Sequence, residues 1–286
     1  MKKHRRKIII QLQDTHGGFK LALMNPDVVL FDEDETGTLV PYTPQPTASQ
    51  KYLWKIYCED IASVMKLAGG DPVLGVHNGD ITQGNKHPTL LVSDRMVDQM
   101  AIAAWNLKPW MKYRNFQGWL IAVGTEAHNF GMGSAEMLVQ QLLAKEYPTK
   151  RVEVLYHGML NVGGVRIDFA HHGPHAGSRI WLKGNVARFY LRDLMMRDVV
   201  AGKKPPDLVW RAHRHEFVYE TLMLNGYVSR LCMGPSYSML NDYSVKMTQS
   251  THELVHGLIA WEIVDGKARD PYPFLHKTDI RTEVKG

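Results

Sequence analysis

Five short apolar segments of this chain each run directly into a polar cluster that contains Asp or His. Short runs rich in Val, Ile and Leu are typical of buried strands. The clusters that follow these runs are Asp14-Thr-His16, Gly79-Asp80, Gly124-Thr-Glu-Ala-His128, His171-His172 and His213-Arg-His215. Functional sites in open α/β sheets gather at the carboxyl ends of the strands. The repeated pattern therefore predicts an α/β fold in which several strand ends contribute to one site.

Strands and helices alternate along the chain and then give way to a run of strands. Hydrophobic periodicity predicts strands over residues 7–13, 73–76, 118–123, 152–156, 165–170, 208–212, 218–224, 227–231 and 258–264. It predicts helices from Thr47 or Ser49 to 68, from Ser93 to 107, from Ser134 to 146 and from 185 to 200. Asn225-Gly226 is typical of a hairpin turn. This order predicts two packed sheets with helices outside them.

The length allows one large α/β domain or two small ones, and the sequence shows no internal repeat and no clear domain break. The chain has 286 residues, of which 44% are hydrophobic and 22% charged. No apolar stretch approaches the roughly 20 residues that span a bilayer, and the apolar run 8–10 is too short for a signal peptide. We expect one domain over residues 1–286, with a basic tail at 1–7, a long insertion loop at 17–47 and a C-terminal extension at 265–286.

Cysteine usage indicates the cellular compartment, and net charge indicates the kind of partner. Cys58 and Cys232 form no CxxC pair, which argues against a disulfide framework or a thiolate zinc site and favours the reducing cytoplasm. The formal net charge is +5 and the sequence pI is about 9.0. A basic surface suits an anionic partner such as nucleic acid, and it serves solubility equally well. No membrane partner is expected, and the oligomeric state stays open.

The donor atoms in the five clusters predict a metal site. Carboxylate and imidazole ligands without thiolate suit manganese, iron or zinc in a reactive centre rather than a structural zinc ion. Two divalent ions roughly 3.5–4 Å apart, joined by a bridging carboxylate, can clamp a phosphate during in-line attack. Each cluster taken alone is typical of an ordinary turn or loop. Their joint occurrence at strand ends is what predicts metal binding.

The order of these motifs resembles that of the calcineurin-like metallophosphoesterase superfamily. The shared order is Asp-x-His, Gly-Asp, a Gly-containing loop that bears a His, a His at a strand end and then His-x-His, and it extends from about residue 8 to 220 and on toward 264. The layout, with a Tyr-Thr-Pro loop before the first long helix, is similar to that of uncharacterised phage and prophage members. The resemblance implies an α/β fold, a two-sheet α/β/β/α sandwich, and hydrolysis of a phosphate ester by a water activated between two metals.

The resemblance also implies roles for individual residues. Its two metal sites would have as ligands Asp14, His16 and His215 for the first ion, Asp80 between the ions, and His171 and His213 for the second. His171 is preferred to His172 because it is the first residue beyond its predicted strand. His128 is the candidate that protonates the leaving oxygen or stabilises the transition state. The implied cofactor is a pair of divalent ions, with Mn²⁺ favoured and iron, zinc or nickel as alternatives.

One segment departs from the superfamily pattern. The family sequence is usually Gly-Asn-His-(Asp or Glu), and its Asn binds the second metal, whereas this chain reads Gly124-Thr-Glu-Ala-His128-Asn129. Thr125 stands in the Asn position, and the His is displaced by two residues. Glu126, Asn129 or His128 is a candidate for the missing ligand. The second site could therefore be weaker or differently coordinated.

Two further segments have interpretations of their own. His77 and His87 flank Gly79-Asp80, and we interpret them as solvated loop histidines rather than phosphate ligands. The loop 233–249 is rich in Ser, Asn and Tyr, and its residues Tyr237 and Tyr243 are candidates to line a substrate pocket.

The resemblance leaves several activities open. Hydrolysis of a phosphodiester or of nucleic acid is favoured, because of the basic charge and the likeness to phage members. Hydrolysis of a phosphomonoester, on a protein or a nucleotide, is the nearest alternative. The altered loop at Thr125 also allows a metal-binding protein without turnover. Hydrolysis of a non-phosphate bond stays open as well, since a fold does not determine a function.

Overall fold

The computed structural model describes residues 6–175, 180–240 and 253–284, and it shows a mixed α/β fold. Its helices are α1 (Ala48–Ala68), α2 (Met96–Met111), α3 (Ser134–Glu146) and α4 (Lys183–Val200). Its strands are β1 (Arg6–Leu12), β2 (Leu30–Glu33), β3 (Leu39–Tyr42), β4 (Val73–His77), β5 (Phe116–Ala122), β6 (Arg151–Leu155), β7 (Gly158–Val162), β8 (Val165–Phe169), β9 (Leu208–Arg211), β10 (Val218–Leu224), β11 (Tyr227–Met233), β12 (Glu253–Val264), β13 (Lys267–Ala268) and β14 (Tyr272–Asp279). Three parts of the predictions lie outside the described residues, namely positions 1–5 of the basic tail, positions 241–249 of the loop 233–249 with Tyr243, and positions 285–286 of the C-terminal extension. Across the described ranges, no helix has the length and apolar character needed to cross a membrane.

Two sheets carry most of the strands. The larger sheet has the order β13-β12-β1-β4-β5-β6, and β14 also pairs with β12. Its strands β1, β4, β5 and β6 are parallel neighbours, while β12 is antiparallel to β1. The smaller sheet has the order β10-β11-β9-β8-β7, and β8, β9 and β11 are parallel. Because parallel strands end at a common edge, β1, β4 and β5 end together, and so do β8 and β9.

The two sheets share one apolar cluster, and helices pack on the other face of each sheet. The shared cluster contains Ile9 and Trp261 of the larger sheet together with Ile167 and Trp210 of the smaller sheet. The indole rings of Trp210 and Trp261 stack with their centroids 5.7 Å apart. A second cluster joins the larger sheet to α1, α2 and α3, and a third joins the smaller sheet to α4. Burial on both faces explains why the central strands are continuous apolar runs in the sequence.

The ends of α1 follow from its sequence, whereas the start of α2 does not. The Thr47 side chain accepts a hydrogen bond from the Gln50 backbone, and the Gln50 side chain accepts one from the Thr47 backbone, which makes a capping box. Gly69 ends α1 with a left-handed φ of 56°. α2 begins after the predicted cap, Ser93, because the Ser93 hydroxyl donates to the Asp98 carboxylate at 2.6 Å and does not cap the helix.

Five strands lie where the sequence predicts none. β2 and β3 form a hairpin inside the predicted loop 17–47, and Pro41 is tolerated there because the hairpin is a separate two-stranded sheet. β7 pairs with β8, although Gly158 and Asn161 give it the composition of a turn. β13 and β14 both pair with β12, so the predicted extension 265–286 adds strands to the larger sheet.

Candidate metal centre

The predicted ligands lie on loops that leave adjacent strands at their carboxyl ends. β1 and β4 lead into Asp14 and Asp80, and β8 and β9 lead into His171 and His213. Within the larger sheet, the His16 backbone N–H donates to the Asp80 carbonyl oxygen at 3.0 Å. The loops of the two sheets meet where the His213 backbone N–H donates to Oδ2 of Asp14 at 3.1 Å. The site therefore joins both sheets at one edge.

Five of the six residues predicted to bind metal have a left-handed backbone. Their φ angles are 50° at Asp14, 43° at His16, 51° at Asp80, 74° at His213 and 53° at His215. A residue with a Cβ atom rarely adopts this conformation, which costs on the order of 1–2 kcal/mol per residue. Such strain persists where the surrounding structure fixes it, and it concentrates at functional sites. The side chains predicted to bind metal are thus held in place by the backbone.

The first cluster consists of Asp14, His16 and His215, whose potential ligand atoms lie within 4.8 Å of one another. Nε2 of His16 lies 3.2 Å from Nε2 of His215, and the latter lies 3.5 Å from Oδ1 of Asp14. Oδ1 of Asp14 is buried without a hydrogen-bond partner in the described part of the chain. A buried carboxylate oxygen without a donor is costly. A divalent cation held by these three side chains would satisfy it, so the residues fit a metal ion.

The second cluster consists of Asp80, His171, His213 and Thr125. Nε2 of His171 lies 3.1 Å from Oδ2 of Asp80 and 3.1 Å from Nδ1 of His213. The Thr125 hydroxyl lies 3.1 Å from Nε2 of His171 and 3.2 Å from Nδ1 of His213. Nδ1 of His171 donates to the Asn78 carbonyl oxygen at 2.7 Å, so Nε2 is the ring nitrogen left for a cation.

Asp80 lies between the two clusters. Its carboxylate is within 4.8 Å of ligand atoms of Asp14 and His171, and also of His16 and His128. A carboxylate that reaches two groups of ligands is the arrangement that a bimetal centre requires. The structure thus brings together all six residues that the sequence predicts as ligands.

The charges in the site are strongly coupled. Burial raises the pKa of the Asp80 carboxyl, but hydrogen bonds from His171 and His213 outweigh burial and hold this pKa well below its ordinary value. Burial lowers the pKa of the His171 imidazole, but Asp80 reverses the shift and raises it to about 9. Burial, together with the charge of His128, lowers the pKa of His16 to about 3. The site without a cation is therefore an ion pair of Asp80 and His171 beside a neutral His16.

His128 lies against the first cluster but is anchored elsewhere. Its Nδ1 donates to the Gln83 carbonyl oxygen at 2.6 Å, which leaves Nε2 as the free ring nitrogen. Its ring packs edge to face against His16, with centroids 4.8 Å apart. The Thr82 hydroxyl donates to the His128 carbonyl oxygen at 2.5 Å and fixes the same turn. A positioned imidazole with one free nitrogen can transfer a proton to a bound substrate.

The three tentative residues have different surroundings. Glu126 is exposed in a short turn. Asn129 is buried, and its side-chain oxygen accepts a hydrogen bond from the Gly131 backbone at 2.8 Å, so this oxygen stabilises the local loop. The exposed ring of His172 lies 4.9 Å from that of His171 and 5.0 Å from that of His213, between centroids. Of the three, His172 is the one placed beside the second cluster by ring contacts.

A cavity of about 680 Å³ opens beside the second cluster. Its walls include His171, His172, Glu126, Tyr156 and Arg211. This volume is in the range of small-molecule sites, roughly 300–1,000 Å³. The cavity is therefore large enough for the organic part of a substrate whose reacting group lies at the cluster.

Two interpretations made from sequence are wrong. His77 is fully buried at the end of β4, with Nε2 3.0 Å from the Thr15 hydroxyl, and is not a solvated loop residue. Tyr237 is buried in the core and donates to the Asp60 carboxylate at 2.5 Å, so its hydroxyl does not line a pocket.

Sequence reasoning also missed the Thr125 hydroxyl, which it treated as the loss of a ligand. The position of Thr125 in the motif was the available signal.

Comparison with known proteins gives distant structural likeness alone. No protein-family model matches the sequence. No curated protein matches it either.

Several solved structures have some similarity to this chain. A protein of unknown function from Aquifex aeolicus is 14% identical, over 73% of this chain and 80% of that one, with a TM-score of 0.33. The sulfate thiohydrolase SoxB of Thermus thermophilus is 10% identical, over 96% and 56%, with a TM-score of 0.43. A metallophosphoesterase from Sphaerobacter thermophilus is 8% identical, over 96% and 89%, with a TM-score of 0.34. TM-scores this low establish neither the fold nor the function of this chain. The fold and the candidate site therefore follow from the residues of this chain alone.

Proposed function

We propose that this chain is a metal-dependent phosphoesterase of the calcineurin-like type, with α/β/β/α layers and two divalent cations in the adjacent clusters. The observation that supports this most is the position of the Asp80 carboxylate between the first and the second cluster. The donors are oxygens and imidazoles, which suit manganese, iron, zinc or nickel in a reactive centre. Mn²⁺ is the first ion to try.

The roles of the residues follow from this arrangement. Bound cations would neutralise the phosphate and lower the pKa of a water molecule, as in other two-metal sites. Asp80 holds its carboxylate between the clusters, and Asn78 fixes the His171 ring. His128, anchored by Gln83 through Nδ1, presents Nε2 to the leaving oxygen, and in the imidazolium form it donates the Nε2 proton to that oxygen and is left as the neutral imidazole. The cavity beside the second cluster accommodates the organic group of the ester.

A phosphodiester, including nucleic acid, is the substrate class that we favour. The net charge of +5 suits a polyanionic substrate, whose binding releases counterions and weakens steeply with salt. A second candidate is metal binding without turnover. Thr125 favours it, because a hydroxyl stands where the related motif has an Asn amide that binds the second metal.

Hydrolysis of two model esters tests the proposal. Wild type and Asp80→Asn are assayed on bis-p-nitrophenyl phosphate and p-nitrophenyl phosphate, with added Mn²⁺ or with chelator. Asp270→Asn is the matched control, because the Asp270 carboxylate is 89% exposed. We expect chelator-sensitive diester cleavage that Asp80→Asn abolishes and Asp270→Asn retains.

The other outcomes separate the alternatives. Cleavage of the monoester alone would identify a phosphatase. Two bound cations with neither ester cleaved would favour the protein without turnover. Full activity in Asp80→Asn, or in chelator, would refute the two-metal proposal.

A further inference from the structure

Four side-chain atoms of the second cluster converge on one point from four different loops. Oδ2 of Asp80 lies 3.1 Å from Nε2 of His171 and 3.9 Å from Nδ1 of His213. These two ring nitrogens lie 3.1 Å apart. Oγ1 of Thr125 lies 3.3 Å from the Asp80 oxygen, 3.1 Å from the His171 nitrogen and 3.2 Å from the His213 nitrogen. The four atoms therefore form a closed figure in which all six separations are similar.

The shape of this figure is that of a metal site. A regular tetrahedron with edges of about 3.3 Å has its centre about 2.0 Å from each corner, which is the length of a zinc–nitrogen or zinc–oxygen bond. Two imidazole nitrogens, one carboxylate oxygen and one hydroxyl oxygen are acceptable donors for a borderline divalent ion. The longest edge, between Asp80 and His213, is the one that a central cation would draw together.

The Thr125 hydroxyl is close to the other three atoms of the figure, at 3.3 Å or less. Its oxygen carries lone pairs as well as a proton, so it can act as a donor atom to a cation. The backbone N–H of Thr125 already donates to Oδ1 of Asp80, so Oδ2 is the oxygen that faces the cluster. A cation at the centre satisfies all four atoms together.

We infer that Oγ1 of Thr125 is the fourth protein ligand of the second cation. This inference rests on the metal centre of the proposed function but adds to it. Thr125 is then a substitute for the Asn amide and not the loss of a ligand, and the candidates Glu126, Asn129 and His128 are not needed at this corner. All four protein ligands of the second cation then belong to the described residues.

Two substitutions test this ligand without any assay of hydrolysis. Thr125→Val keeps the shape and removes the oxygen. Thr125→Cys replaces the oxygen donor with a sulfur donor at the same position. A thiolate bound to Co²⁺ gives a charge-transfer band in the near ultraviolet, so coordination by this sulfur can be seen in the absorption spectrum of the Co²⁺ protein. Thr221, exposed on β10, receives the same two substitutions as the matched controls.

Calorimetric titration of the metal-free protein with Zn²⁺ gives the first readout. We expect two equivalents in wild type and in Thr221→Val, and in Thr125→Val an affinity for the second equivalent lower by at least about tenfold. Unchanged affinity in Thr125→Val, or fewer than two equivalents in wild type, would overturn the inference.

The Co²⁺ spectrum gives the second readout. It tests the inference even if Thr125→Val does not fold, because it uses a different variant. Thr125→Cys should show the thiolate band at the second equivalent, and Thr221→Cys should not. A folded Thr125→Cys protein without the band would refute direct coordination. The two proposals fail separately. If two cations bind and neither ester is hydrolysed, the proposed function is wrong and Thr125 can still be a ligand. If the esters are hydrolysed and Thr125→Cys shows no thiolate band, the proposed function stands and Thr125 is not a ligand.

Discussion

The backbone N–H of Thr125 donates a hydrogen bond of 2.6 Å to Oδ1 of Asp80. The loop after β5 thereby orients the carboxylate that lies between the two clusters. This close approach is possible because residue 124 is glycine. A Cβ atom at Gly124 would lie 2.2 Å from the Asp80 backbone nitrogen and 2.3 Å from Oδ1.

We expect Gly124→Ala to separate the loop from Asp80. The overlap should lower the free energy of unfolding of the metal-free protein by about 1–3 kcal/mol and weaken cation binding at the second cluster. Urea unfolding and metal titration measure the two effects. Gly37→Ala is the control, because no atom lies within 4 Å of its added Cβ and only the left-handed backbone opposes it. Equal metal affinity in both variants would contradict the role of Gly124.

Binding of the second cation should release a proton. The pKa of His171 is raised to about 9 by Asp80, so this imidazole is protonated in the metal-free protein at neutral pH, and a cation must displace the proton. We expect about one proton released per second-site cation at pH 7.5. Calorimetry in two buffers with different ionisation enthalpies measures it. Heats that do not depend on the buffer would contradict this assignment.

The stability of the metal-free protein should fall on the alkaline side for the same reason. The folded-state pKa of His171, about 9, lies above the value near 6.5 of the unfolded chain. Its ion pair with Asp80 therefore stabilises the fold fully below about pH 6.5 and is lost as the pH rises through about 9. Urea unfolding in chelator between pH 6 and 9.5 should show this decline in wild type and a weaker one in Asp80→Asn. A flat profile in wild type would exclude the ion pair.

Asp14→Asn should remove the first cation while leaving the fold intact. The amide oxygen can still accept the His213 backbone N–H that Oδ2 of Asp14 accepts, and Oδ1 has no hydrogen bond to lose. A cation at 100 times its Kd stabilises a protein by about 2.7 kcal/mol per site. We expect the metal-induced rise in Tm to be smaller in Asp14→Asn than in wild type, by the contribution of the one cation that is lost. The same rise in both proteins would show that Asp14 holds no cation.

His128→Gln should lower the hydrolysis rate without loss of metal. General acid catalysis contributes about 10²–10⁴-fold, and it matters most for leaving groups that need a proton. We expect a large loss with a phenyl or alkyl leaving group and a smaller loss with p-nitrophenolate. Comparison of kcat across a series of diesters, with metal content measured in parallel, tests this. A uniform loss across the series would assign His128 to structure or binding.

Local signals in the sequence predict much of the framework. The bounds of α3 and β10 are those given by periodicity, and Thr47 and Gly69 end α1 as expected. Each predicted ligand of the candidate metal centre stands just beyond a strand, so the order of motifs predicts which side chains meet. The hairpin of β2 and β3 was missed, because its strands are short, largely exposed and contain Pro41.

Contacts made across the fold are the part that local signals leave out. Tyr237 belongs to a polar loop by composition, yet its ring is fully buried, because Asp60 on α1 provides a partner for the hydroxyl. Thr125 differs from the residue of the related motif, and only the distances to His171 and His213 show that its hydroxyl fits the same position. Spacing in the sequence gives the order of the ligands and not the separations between their atoms.

The left-handed residues of the candidate metal centre concentrate backbone strain at the edge where the two sheets meet. Glycine adopts a positive φ without strain, so replacement of His16 or His215 by Gly would relieve backbone strain at the position where it removes a ligand. Loss of a proposed metal ligand and relief of strain therefore coincide at these positions. Sequence drift that removes these two side chains therefore need not pass through an unstable protein.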